Sequence, residues 1–340
     1  MGEHTAISWT NHTFNPWIGC TKVSPGCANC YAEKQNERHK WTCGWGPGEE
    51  RHITSASSWN AIAKWAKTAR ATGKREKVFC ASLADIFDHE APVFARRALW
   101  HLLTLTSDAL DFQIVTKRPQ RIEQVMKEDD LAHDFFLAHN VWLIASTENQ
   151  EWFDKRVPYL LRVPAAVHGV SAEPLLGAID GSKYLRKTLC QVCNGTASVP
   201  VEGNGDTPCP ACLNSNNGRG NAPSLNWVIV GGESQVGARP MPPDAARRVR
   251  DQCVEYGVAF FFFKQHGEFV EVAGNDVVDA DKQRPPIDSR NRVVSIDGHI
   301  PAAPDEMRPN IKYRWVTWIG TKNAGSTSDG QEWKQFPRVA

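Results

Sequence analysis

Six short apolar runs recur along the chain, and they limit how it can fold more than any other feature. They are Val78–Leu83, Phe112–Thr116, Val141–Ala145, Ala166–Val170, Trp227–Val230 and Ala259–Phe263. Each carries β-branched or aromatic residues and ends abruptly in polar ones. Runs this short and this apolar suit strands buried on both faces, as in a parallel sheet. Segments with helical spacing lie between them. One has Trp59, Ile62, Ala63, Ala66 and Ala69; another has Phe94, Ala98, Leu102 and Leu105; a third runs from about Pro242 to Tyr256. Such alternation predicts βα units, either in a doubly wound sheet or in an open, partial (βα)6 barrel.

The run starts are 34, 29, 25, 61 and 32 residues apart. Four intervals fit one βα unit each, whereas the fourth is about twice too long. Residues 186–224, rich in Gly, Asn and Pro, therefore read as an insertion into a barrel built from residues 1–185 and 225–340. Residues 270–310 read as a second, irregular excursion, followed by a last strand over Tyr313–Ile319.

Charge is balanced, with 39 Lys+Arg against 38 Asp+Glu in 340 residues, which excludes a wholly basic nucleic-acid binder but not a local patch. Lys64 to Lys77 and the group Arg247, Arg248 and Arg250 are two such patches, and they suit phosphate contacts with a DNA or nucleotide substrate. A solvated helix face explains either one equally well. The longest apolar run, Val258–Phe263, is far short of a membrane span, and the N-terminus has no apolar signal core. A cytoplasmic protein without membrane contact is expected.

Seven of the ten cysteines fall in two tight clusters. Cys20, Cys27 and Cys30 have the spacing C-x6-C-x2-C. Three thiolates without an obvious local fourth suit a [4Fe–4S] cluster with one iron left open. A zinc site would want a fourth ligand, for which Cys43 or His39 is near in sequence. Unligated thiols are the third reading. Cys190, Cys193, Cys209 and Cys212 have the spacing C-x2-C-x15-C-x2-C, a strong zinc signal, with a second iron–sulfur cluster as the alternative. A metal would hold together an insertion too small to bury its own core.

Polar residues follow each predicted strand: Asp85 and Asp88, Lys117 and Arg118, Glu148 and Asn149, Glu173, Glu233, then Lys264 with Gln265. Groups just past the carboxyl ends of parallel strands converge on one face, where such folds bind ligands. Gly231–Gly237 lacks the lysine of a phosphate loop, so its glycines are read as allowing close backbone approach.

The ending Cys27-Ala-Asn-Cys30-Tyr31 resembles radical S-adenosylmethionine (SAM) enzymes, distantly the spore photoproduct lyase branch. The x6 gap departs from the usual C-x3-C-x2-C. As a whole the chain resembles a phage- and prophage-associated three-cysteine family of uncharacterised function, classed with the radical SAM barrels. The matching phrases include Asn15-Pro-Trp-Ile-Gly-Cys20, Thr116-Lys-Arg-Pro119, Ser171-Ala-Glu-Pro174, Gly231-Gly-Glu-Ser234, Ala238-Arg-Pro-Met241 and Phe263-Lys-Gln-His-Gly267. The resemblance implies a partial (βα)6 barrel, a [4Fe–4S] cluster on Cys20, Cys27 and Cys30, SAM on the open iron, and an external electron donor. Asp85, Glu148, Asn149, Ser171, Glu173 and Glu233 are then candidates for SAM contacts, and Lys117 and Arg118 for its carboxylate or a substrate phosphate. The expected function is modification or repair of a nucleic-acid base by hydrogen-atom abstraction. The alternatives are a non-catalytic DNA-binding protein with zinc in both clusters, and a radical SAM enzyme acting on a protein or metabolite.

Overall fold

The computed structural model describes residues 5–137, 140–201, 205–210, 212, 220–235, 237–262, 267–272, 278–279, 287, 290–319 and 324–338. Seven parallel strands form one curled sheet, a half barrel in a mixed α/β chain. They are β1 (His12–Phe14), β2 (Glu76–Cys80), β3 (Leu110–Thr116), β4 (Val141–Ser146), β5 (Val167–Ala172), β6 (Trp227–Val230) and β7 (Ala259–Phe262). Their spatial order is their sequence order, so the sheet is wound in one direction only. This is the open barrel of the two expected topologies. Strand β1 escapes a search for apolar runs because it has three residues, of which only Phe14 is strongly apolar.

Period-2 alternation sends successive side chains to opposite faces, and both faces are covered. Outward residues such as Val78, Ile114, Leu143, Val228 and Phe260 join one core with the helices. These helices are α2 (Ala56–Thr72), α3 (Val93–Leu105), α4 (Ile122–Glu128), α5 (Asp130–Leu137), α6 (Gln150–Leu160), α7 (Ser182–Leu185) and α8 (Pro243–Tyr256), whereas α1 (Tyr31–His39) packs separately, through Ala32 with Ile18 and Leu83. Inward residues Phe79, Trp142, Ile144, Trp227, Ile229 and Phe261 meet Trp9 in an aromatic plug. Trp142 and Trp227 cross edge to face at 5.4 Å. They stand at the amino ends of their strands, so the plug closes that end of the half barrel. Each such side chain contributes roughly 1.5–3 kcal/mol by leaving water. On α3 the predicted stripe is displaced. Phe94 and Leu105 are exposed, whereas Leu99, Trp100 and Leu103 are fully buried.

The predicted excursion over residues 270–310 holds part of a small antiparallel sheet. In it Phe269–Glu271, Val278–Asp279 and Asn291–Ser295 all pair with Lys312–Trp318. Past that sheet the chain returns to β7 and pairs along its outer edge. Phe262 donates its backbone N–H to Trp333 at 2.9 Å, and Gln335 donates to Phe260 at 3.1 Å. No helix among the described residues is long and apolar enough to cross a membrane.

Asp329 ties this tail to α8, pairing with Arg247 at 2.9 Å and Arg250 at 2.5 Å. The two guanidinium groups hold its carboxyl at about 2, below the ordinary 3.8. Ionised Asp329 therefore stabilises the docked tail above about pH 4, and that contribution is lost as pH falls from there towards 2. Melting curves should show Asp329→Asn less stable than the parent at pH 7, with the gap closing through that window. A gap that stays constant to pH 2 would refute the linkage.

Candidate functional site

The connection from β1 to α1 carries Cys20, Cys27 and Cys30, all half-buried free thiols. Pro25–Cys27 forms one 3-10 turn, and Cys30 sits at the N-cap of α1. This loop crosses the carboxyl ends of the parallel strands, and side chains following three of those strands hold it there.

The first anchor is Arg118, just past β3. Its Nη1 donates to Cys20 Sγ at 3.5 Å, and its Nη2 donates to the Thr21 carbonyl at 2.6 Å. The second is Glu148, past β4, whose Oε1 accepts from the Gly26 N–H at 2.9 Å. A Cβ at position 26 would stand 3.0–3.1 Å from that carboxylate, so glycine permits the approach. The third is Glu233, past β6. It accepts from Asn29 Nδ2 at 2.9 Å and pairs with Arg239 at 2.5 Å; Arg239 in turn donates to the Pro25 carbonyl at 3.1 Å.

Each anchor is braced. Arg118 pairs with Asp85 at 3.0 Å and lies 3.6 Å from Asp88, which pairs with Arg51 at 2.8 Å. The side chains of Arg51, Asp88, Arg118 and Asp85 are almost completely buried, a ladder of alternating charge. Asp85 also accepts from the Thr116 hydroxyl at 2.9 Å and the Lys117 N–H at 3.0 Å. Glu148 pairs with the buried Arg156 at 2.9 Å.

These surroundings set the state of the site. Burial pushes the Cys20 thiol up to about 12, with the Arg118 charge pulling the other way. Burial raises Cys30 as well, opposed by the Glu33 N–H and the Lys117 charge. Burial works against the charge on Arg118, but Asp85, Cys20 and Asp88 outweigh it and hold the guanidinium above its ordinary value. Burial would also raise Glu233, yet hydrogen bonds from Arg239 and Asn29 keep it below the usual carboxylate range. Burial thus disfavours the thiolate at both Cys20 and Cys30.

Of the candidates from sequence, Asp85, Lys117, Glu148 and Glu233 come together around the loop. Asn149 instead caps α6, accepting from the Trp152 N–H at 3.2 Å. Ser171 stands beside Ser146 in the β4–β5 register, and Glu173 follows at the end of β5. Lys264 and Gln265 lie outside the described residues. Arg51, Arg156, Arg239 and Asn29 are assigned no role by sequence reasoning. Arg239 lies in the phrase Ala238-Arg-Pro-Met, six residues after Glu233, and that was its one visible signal.

The second cluster is more compact. Cys190, Cys193, Cys209 and Cys212 are buried, with all four sulfurs within 4.8 Å of one another. The pairs Cys190–Cys209 and Cys193–Cys212 stand at 3.9 Å and 3.6 Å. Metal–sulfur bonds of about 2.3 Å in a tetrahedron give edges of about 3.8 Å. Cys190 N–H donates to the Gly220 carbonyl at 2.8 Å, and Gly220 N–H donates to Cys212 Sγ at 3.3 Å. Only glycine fits that knuckle: its φ is +86°, and a Cβ would meet the Gly195 carbonyl oxygen at 2.5 Å. The four cysteines could hold one metal ion. Among the described residues no other set of three or more such ligands gathers this closely.

The arginines of both basic patches are paired. Arg247 pairs with Asp244, Glu271 and Asp329, Arg248 with Asp180, and Arg250 with Asp251 and Asp329. In the other patch Arg70 pairs with Asp108, Arg75 pairs with Asp111, and Lys77 lies over the rings of Trp142 and Phe336.

A family model described as "Protein of unknown function (DUF5131)" matches residues 4–337. No curated protein and no solved structure matches the chain.

Proposed function

The chain belongs to this family of unknown function, and from that premise we propose an iron–sulfur enzyme of the radical SAM type that acts on a nucleic-acid base. One observation carries the reading. A three-cysteine loop is slung across the carboxyl ends of a parallel half barrel, anchored from β3, β4 and β6. Three half-buried thiols on one such loop suit a [4Fe–4S] cluster with an open iron. With SAM on that iron, the cluster would pass on one electron from the external donor for cleavage of the S–C bond, and the carbon radical released would take a hydrogen atom from the substrate.

The chain's own residues do the positioning. Arg118 offsets the negative charge of the Cys20 thiolate, while Glu148 and Glu233 fix the loop by its backbone and by Asn29. Asp85, Glu148 and Glu233 spend oxygens on these contacts, so their part in binding SAM is to shape its seat. Lys117, Ser171 and Glu173, which follow or end β3 and β5, are the contacts left for the SAM carboxylate, ribose and amino group. The aromatic plug keeps water out from the opposite end. Exposed Pro25 and Ala28 give an external electron donor a point of approach.

The four-cysteine site is proposed to hold zinc, structurally, since a closed set of four thiolates leaves no open position. All ten cysteines are free thiols, which suits a reducing cytoplasm.

Protein purified without oxygen should contain about four iron with sulfide and about one zinc. It should form deoxyadenosine from SAM with a strong reductant. Two zinc and no iron would end this reading in favour of a non-catalytic zinc protein. Replacing Cys190 and Cys209 together with Ser should release the zinc while iron and helicity stay intact. Collapse of the whole chain would show that residues 186–224 are part of the core.

A further inference from the structure

A cleft of about 320 Å³ opens beside the cysteine loop, between α1 and the carboxyl ends of β1 and β2. Thr13, Asn15, Tyr31, Gln35, Trp41 and Ser82 line it, and no charged side chain does. The ions nearest in sequence, Asp85, Asp88 and Arg51, are committed to the buried ladder with Arg118.

The floor is fixed. Asn15 donates to Ser82 Oγ at 3.0 Å and accepts from the Leu83 N–H at 2.6 Å, while Thr54 Oγ1 donates to the Asn15 carbonyl at 2.7 Å. The Tyr31 hydroxyl donates to the Ser82 carbonyl. Thr13 faces the cleft because its neighbours pack outward on α2: His12 stacks on Trp65 at 4.2 Å and Phe14 meets Trp59 at 5.4 Å. Trp41 forms a ring wall, itself stacked on His39 at 4.8 Å. Among the described residues, the Thr13 hydroxyl and the Gln35 amide have no hydrogen-bond partner, although both line the cleft.

We propose that this cleft seats an uncharged, planar heterocycle: one nucleobase with its sugar, its phosphates left outside. The amide and hydroxyls offer donors and acceptors to a base edge, and the ring wall offers stacking. A phosphate or carboxylate would call for a cation, and no lining residue is charged. The volume lies near the lower end of the roughly 300–1,000 Å³ of small-molecule sites, so a base in a duplex must leave its stack to enter. Tyr31 directly follows Cys30, which puts the seat beside the cysteine loop. The identity of the substrate rests on the radical-enzyme reading, whereas binding itself does not.

Equilibrium dialysis with guanosine, thymidine and their 5′-monophosphates tests the proposal, with methyl glucoside as control. It is run on iron-loaded and metal-free protein and again with saturating S-adenosylhomocysteine. Nucleosides should bind saturably, and the monophosphates no tighter. Gln35→Leu and the isosteric Thr13→Val should each weaken binding by roughly 5–10-fold while leaving circular dichroism unchanged. Absence of saturable nucleoside binding, equal binding of the glucoside, indifference to both variants, or displacement by S-adenosylhomocysteine would each overturn it. Nucleoside binding by a protein that never holds iron keeps the cleft and ends the radical reading. Iron and deoxyadenosine formation without nucleoside binding end the cleft alone.

Discussion

Single replacement of Cys20, Cys27 or Cys30 by alanine is expected to abolish iron retention and, with it, deoxyadenosine formation from SAM under a strong reductant. Each thiolate of an open cluster serves its own iron, so none can stand in for another. The loss should be all or none rather than graded, because the loop between β1 and α1 carries no fourth cysteine. Cys43→Ala is the matched control. Cys43 is exposed and lies beyond α1, outside every anchor of the loop. Iron assay and chromatography of the SAM products decide the matter. A Cys43 variant as damaged as the other three would indicate four-coordinate closure, leaving SAM no position on the metal.

Arg118→Leu should lower unfolding free energy by about 3–5 kcal/mol, the range for removing one partner from a buried ion pair. The side chain is nearly inaccessible and holds Asp85, Asp88, Cys20 and the Thr21 carbonyl at once. Its removal leaves Asp85 without a cation in a site closed to water. Arg118→Lys retains the charge but not the fork that reaches Cys20 and Thr21 together, so it should fall between parent and Leu. Urea midpoints at neutral pH measure both. A loss of about 1 kcal/mol or less for Leu, typical of an exposed pair, would show that water reaches the ladder.

What could be read from the sequence divides along the range of the interactions. Six of the seven barrel strands were legible because burial on both faces writes a continuous apolar run. Strand β1 was not, since a three-residue edge strand with His12 and Thr13 writes almost nothing. Helix α3 was legible as a helix but not in its facing. Its apolar residues surround the axis, so only tertiary packing selects Leu99, Trp100 and Leu103 over Phe94 and Leu105. Both cysteine clusters show in their spacing, because the short turns that gather such thiols are local. The anchors are not local. Glu148 meets Gly26 across 122 residues, and Glu233 meets Asn29 across 204. Chain order places these carboxylates on one face but does not say what they hold. The pairing of the arginines is only partly local: Asp244 and Asp251 are near in sequence, whereas Glu271, Asp329 and Asp180 arrive from distant segments.

The pairing of the tail with β7 has a consequence for the protein's behaviour in bulk. A sheet wound in one direction ends in unpaired N–H and C=O groups, and Ala259–Phe262 would offer three consecutive phenylalanines on such an edge. Exposed strands of this kind recruit other chains. Here the chain's own residues 333–335 occupy the rim, fastened partly through Asp329. Acid that neutralises Asp329 thus loosens a guard against self-association as well as a docking contact. The protein should scatter light more after brief exposure below about pH 3, and a soluble peptide copying residues 331–338 should suppress that rise by competing for the same rim.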